Sequence, residues 1–189
     1  MRHAATFLAC FLALACSGGS RAAGKTLALD RVQARSQDML IVTSPAFSAG
    51  GKVPLANSAY GGNVSPAISW SGLPAGTRAV ALIVEDPDAA AVQPFVHWLA
   101  WNVNPAVGTF PEKSGAAVRQ GRNGHGSNEY WGPHPPAGPL HHYHFELFAL
   151  DSPLTLAEGA DRDQLVAAMS GHVLAKGELV GLFGAPKRR

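Results

Sequence analysis

The chain is poor in cysteine, in charge and in long apolar runs, and each shortage excludes something. Its only two cysteines are Cys10 and Cys16, both within the first 16 of 189 residues. The rest of the chain therefore holds no internal disulfide, and its stability has to come from core burial. Charged residues make up 15%, with a formal net charge of +2 and no stripe of lysine and arginine. That balance gives no footprint for nucleic acid. The one basic run, Lys187-Arg188-Arg189, reads as a solvated tail. No apolar stretch is long enough to span a bilayer. Gly-x-Ser-x-Gly and His-Glu-x-x-His are absent, and the glycines of 121–132 lack the Lys-Ser/Thr ending of a phosphate loop.

The N-terminus is a different matter. Arg2 and His3 precede the uncharged run "AATFLACFLALA", which ends at Ala15 and is followed by small residues. This pattern predicts a signal peptide over residues 1–22 and export to the periplasm or beyond. Cleavage after Ala15 (Ala13-Leu14-Ala15) and after Ala22 (Ser20-Arg21-Ala22) both fit. Cys16 adds a lipoprotein route, although "ALAC" matches such a box poorly. A single domain is expected over 24–189.

Within that domain strands outnumber helices. Residues 24–38 are polar and mixed, and read as an arm ahead of the first strand, "MLIVTS" (39–44). Residues 45–78 are dense in Gly, Pro, Ser and Asn, so loops and brief strands are expected. "RAVALIVEDPD" (78–88) alternates so that Val80, Leu82, Val84 and Asp86 share one face before Pro87 stops the ladder. "HWLAWNV" (97–103) places His97, Leu99, Trp101 and Val103 together, and "LHHYHFELFAL" (140–150) and "HVLAKGELVGLFG" (172–184) are further strands. The one good helix is 161–171, opened by Asp161 and Gln164 as a capping box and stopped by Gly171. The segments between strands are too short and too rich in Gly and Pro for crossover helices. The prediction is a mainly β fold of antiparallel sheets with one or two peripheral helices.

Chemistry concentrates in "GPLHHYHFELFALD" (138–151). Period two divides it: His141 and Tyr143 run into Phe145, Leu147 and Ala149, whereas His142, His144 and Glu146 share the other face. His142 and His144, with Glu146 following, resemble a His-x-His zinc pair, but two histidines on one strand lack a clear third and fourth ligand in the sequence. They read as the solvated face of the strand, and no metal is expected. His141 and Tyr143, at the rim of an apolar strand, could donate to an oxyanion or could be satisfied core groups. Asp86 and Asp88 flank Pro87, placed either to orient a histidine or to close a turn.

Four segments in this order resemble the phosphatidylethanolamine-binding protein family, in its bacterial YbhB/YbcL, or Raf-kinase-inhibitor-like, branch. They are "NVSPAISWSGLPAGTRAVALIVEDPDA" (63–89), "HWLAWNV" (97–103), "GPHPPAGPLHHYHFELFALD" (132–151) and "GHVLAKGELVG" (171–181). The resemblance covers roughly 40–184 and implies a large antiparallel sheet, a smaller one and a surface pocket for anions. It implies that Asp86 and Asp88 are the family's Asp-Pro-Asp pair, and that His97, His141 and Tyr143 contact the anion. Asp86 would orient a histidine and keep it partly protonated, with the loop backbone near Gly132–Pro136 supplying amide donors and one wall, its shape fixed by Pro135 and Pro136. The expectation is an exported, non-enzymatic protein without cofactor, taking a small phosphate- or carboxylate-bearing ligand. Two alternatives stay open, a module that inhibits an envelope protease or another protein partner, and a hydrolase using His97, His141 and Asp86. The chain departs from the family at Ala90, Gly124-His125-Gly126, His134 and His142, and the added imidazoles point to steeper pH dependence.

Overall fold

A computed structural model of the protein describes residues 25–114 and 118–187. The leader expected over 1–22, its cleavage positions and Cys16 lie outside the described residues. In chain order the regular elements are α1 (Ala28–Arg31), β1 (Ile41–Thr43), β2 (Ile68–Ser71), β3 (Ala79–Asp86), β4 (Phe95–Val103), β5 (Thr109–Phe110), β6 (Arg119–Gln120), β7 (His141–Leu150), α2 (Arg162–Met169) and β8 (Val173–Phe183). Five strands form one sheet in the order β6-β4-β3-β7-β8, and β1-β2-β5 form a smaller one. Every pairing between these strands is antiparallel.

The large sheet is covered on both faces, and alternation along its strands sorts residues into two cores. Val80, Leu82 and Val84 of β3 meet Phe145, Leu147 and Ala149 of β7 under the small sheet, with Trp70 and Phe110. Ala79, Ala81 and Ile83 point the other way, against Leu165 and Met169 of α2 and Leu27, Ala28 and Leu29 of the N-terminal segment. All eight residues of β3 are buried, as the central strand of a sheet covered on both sides requires. Leu165 is fully buried, which is worth about 2 kcal/mol for such a side chain. The capping box predicted at Asp161 and Gln164 is present in both directions, at 2.9 Å each way.

Three expectations need correction. The polar arm of 24–38 contains α1, and Leu27, Ala28, Leu29 and Val32 are buried. Polar composition concealed it because only one short apolar stripe has to dock. The helix-facing side of β7 is not solvated either, since Glu146 is fully buried beside Glu85 of β3. These carboxylates accept from the first amides of α1, Ala28 N to Glu85 Oε1 at 2.6 Å and Leu29 N to Glu146 Oε2 at 2.7 Å. No side chain of Leu27 caps that helix, so the sheet does so instead. Arg162 closes the arrangement, reaching Glu85 through Nε at 2.5 Å and through its Nη2 nitrogen at 3.0 Å.

The third correction concerns β4. Val84 pairs with Trp98 but Glu85 pairs with Val96, so His97 is an extra residue in the ladder. This bulge reverses the alternation: Leu99 and Trp101 face the helices, whereas Trp98 lies between the sheets. A second irregularity falls at Asn102, whose φ is 60°, and returns Val103 to the inter-sheet side. His97 therefore does not share a face with Leu99 and Trp101.

Candidate functional site

The bulge at His97 matters because of where it lies. β3 ends, and β4 and β7 begin, at one end of the large sheet. Asp86, Phe95, His97, His141 and Tyr143 are thereby gathered around a single cavity of about 320 Å³, closed by Asp88, Ala89, Ala90, His125, Trp131, His134, Pro135 and Pro136.

His97 is buried. Its Nδ1 lies 2.5 Å from the Trp131 carbonyl oxygen, an acceptor only, so Nδ1 carries the hydrogen and Nε2 is the nitrogen left for a ligand. Burial pushes its pKa down to about 4, against the opposing pull of the Trp131 carbonyl and the Asp86 charge. His141 uses the same scheme with a different acceptor, its Nδ1 meeting Asp86 Oδ2 at 2.8 Å. The second oxygen of Asp86 accepts the amides of Asp88 at 2.7 Å and Ala89 at 3.1 Å. Asp86 thus orients His141 from within the cavity lining. His97 is set by the Trp131 carbonyl.

Tyr143 packs edge-on against His97, with ring centroids 5.1 Å apart. Its hydroxyl is buried and makes no well-formed hydrogen bond among the described residues, although the Asp86 carboxylate lies close enough to act on it. Burial and the nearby Asp86 charge push its ionisation well up, so it stays a neutral phenol. Asp88, at the cavity rim, holds the start of β7, its Oδ2 accepting from both the amide and the Nδ1 of His142 at 2.7 Å. Partial burial opposes its ionisation, but these bonds outweigh that and lower its pKa. His142 is exposed, as predicted. His144, expected in solvent, is half-buried and lies 2.8 Å from Glu178.

The wall contains the expected Pro135 and Pro136 together with His125 and His134, and residues the sequence did not single out hold it in place. Tyr60 stacks on His134 at 4.2 Å and donates to the Pro135 carbonyl at 2.6 Å, fixing the double proline. Trp131 packs against His125 at 4.3 Å, and His125 meets Phe95 edge-on at 5.3 Å. Asn123 holds the turn that presents His125, its Oδ1 accepting the amides of His125 and Ser127 at 2.9 and 3.1 Å. Gly132 stands outside the lining: its amide donates to Asn63 Oδ1 at 2.7 Å. A Cβ there would collide with the Asn57 carbonyl, which is why the loop passes as a glycine. The signal that could have found Trp131 and Asn123 was the density of Gly, Pro and aromatic residues in 121–138.

Residues 43–184 match the family model for phosphatidylethanolamine-binding protein. The chain belongs to that family. A UPF0098 protein of Pyrococcus horikoshii is 40% identical over 156 residues, 78% of each chain. A Mycobacterium tuberculosis relative named as a candidate lipoprotein, LppC, is 36% identical over 152 residues, covering 79% of this chain and 75% of its own. Among solved structures, the PEBP homologue CT736 of Chlamydia trachomatis superposes with a TM-score of 0.74 at 36% identity, over 78% of this chain and 99% of its own. YbcL of E. coli, described as a member of the mammalian PEBP family, gives 0.73 at 27% identity, over 79% and 100%. Within the family the chain sits with these YbcL-like members.

Proposed function

We propose that the protein is a non-enzymatic binding protein whose cavity takes a small oxyanion, phosphate- or carboxylate-bearing, through His97, His141 and Tyr143. One observation carries this reading. Two imidazoles, each with Nδ1 committed to a protein acceptor, line one cavity with a buried phenol hydroxyl that makes no well-formed hydrogen bond among the described residues. A buried orphan hydroxyl costs about 1–3 kcal/mol unless something accepts from it, and an anion oxygen does so. Asp86 positions His141, while Asp88, Pro135 and Pro136 shape the rim.

A volume of about 320 Å³ lies at the lower end of small-molecule sites and suits a headgroup, not an acyl chain. No serine, threonine or cysteine lines the cavity among the described residues, which favours binding over covalent hydrolysis. We also take the protein to be exported by its N-terminal leader, with Cys16 as a lipid attachment point in one processing route. Among the described residues no helix is long and apolar enough to cross a membrane.

Calorimetric titration near pH 6 with phosphate, phosphoethanolamine and acetate tests the reading. Saturable binding of a phosphate-type ligand that His97→Ala abolishes and His172→Ala preserves supports it. A folded protein that binds none of the three refutes it.

A further inference from the structure

On the helix-covered face of the large sheet, His144 and Glu146 of β7 meet Glu178 of β8. Each offers a ligand atom, and these atoms lie within 4.8 Å of one another. His144 Nδ1 and Glu178 Oε2 are 2.8 Å apart. Glu146 is fully buried; its Oε2 accepts from Leu29, and its Oε1 has no hydrogen-bond partner among the described residues. An ionised carboxylate oxygen held dry and unmatched is costly, and it is relieved either by a proton or by a cation. Arg162 forks onto Glu85, and the Lys176 ammonium donates to the carbonyls of Leu29 and Val32 at 2.5 and 2.7 Å.

We propose that His144, Glu146 and Glu178 form a binding site for a divalent first-row transition ion, with zinc as its representative. One imidazole nitrogen and two carboxylates suit such an ion, whereas magnesium and calcium prefer all-oxygen sets. The ion replaces the hydrogen between His144 Nδ1 and Glu178 Oε2, the imidazole proton moving to Nε2. Ligands sharing zinc at about 2.1 Å sit about 3–4 Å apart, so side-chain rotation closes the remaining gap. The Leu29 amide on Glu146 orients one carboxylate from behind, as outer-shell donors do. The His144 and Glu178 side chains are 13% and 31% exposed, which leaves the outer side of the ion to water. His142 has no part in this set: it is tied to Asp88 at the strand edge.

The test is a calorimetric titration of the purified protein with Zn²⁺ in a non-chelating, phosphate-free buffer, with Glu178→Gln, His144→Ala and His172→Ala beside the wild type. One zinc per chain is expected, weakened about tenfold or more by the first two variants and unchanged by the third. Glu178→Gln keeps the shape of a half-exposed side chain, and a melting curve confirms that it folds. The proposal is overturned if the folded wild type binds no zinc. It is also overturned if Glu178→Gln binds as the wild type does while His141→Ala abolishes binding, because the metal then belongs to the anion cavity.

Discussion

Sulfate isolates the proton that His97 has to acquire before it can donate to an anion. Its Nδ1–H is spent on Trp131, so the neutral ring presents only a lone pair at Nε2. With a pKa of about 4, protonating it at pH 7 costs three decades of population, about 4 kcal/mol at about 1.4 kcal/mol per unit. Phosphate can hide this cost by bringing its own proton, whereas sulfate carries none near neutral pH. Bound sulfate raises the pKa of His97 above its free value, so one proton is taken up on binding in the window between the two. Apparent affinity then rises as pH falls, about tenfold per unit from about pH 7 to 5, and levels off near pH 4. The charged and titratable groups around the ring are Asp86, His125 and Tyr143, and His134 and His141 line the same cavity. The His97 share is therefore read by difference. The variant His97→Gln offers an amide donor that does not titrate, and it should lower the slope of log affinity against pH by one. Titrations in buffers of different ionisation heat count the proton directly. Equal slopes for wild type and His97→Gln, or affinity that rises with pH, would refute the reasoning.

Three further outcomes follow from particular contacts. Tyr143→Phe removes a hydroxyl that makes no well-formed hydrogen bond among the described residues, so the melting temperature should hold or rise while phosphate affinity drops about tenfold; a clear loss of stability would show that the hydroxyl is satisfied inside the fold, with Asp86 as its acceptor. Gly132→Ala forces the loop away from Asn57 and disturbs the Trp131 carbonyl, costing about 2–3 kcal/mol in denaturant unfolding and weakening anion binding together. Arg162→Met strands Glu85 in the core and should cost about 3–5 kcal/mol, most of it recovered in the double variant with Glu85→Gln; additive losses would contradict the pairing.

How much of this could be read beforehand differs by element. β3, β7, β8 and α2 were legible because unbroken alternation or a capping box announces them over eight or more residues. The placement of His141 with Tyr143, and of Asp86 at the end of β3, follows from the same alternation. His97 was misplaced for a stated reason: one inserted residue reverses the face of everything around it, and a bulge leaves no mark in the hydrophobic pattern. The helix-facing core was missed because its partner is four residues of helix in a polar arm, stabilised by carboxylates supplied from distant strands. A pairing across 57 or 117 positions has no local signature. The cavity wall is tertiary in the same sense, since Tyr60 and Asn123 act by holding other residues in place.

The central claim is that an anion sits on the Nε2 atoms of His97 and His141. Nitrogen-15 NMR of the imidazole rings during a phosphate titration near pH 6 observes those atoms one by one. Saturable shifts at His97 and His141 with a common midpoint, and none at His172 outside the cavity, are what the account predicts. Rings of His97 and His141 that stay unmoved, or shifts of equal size at His172, would contradict it.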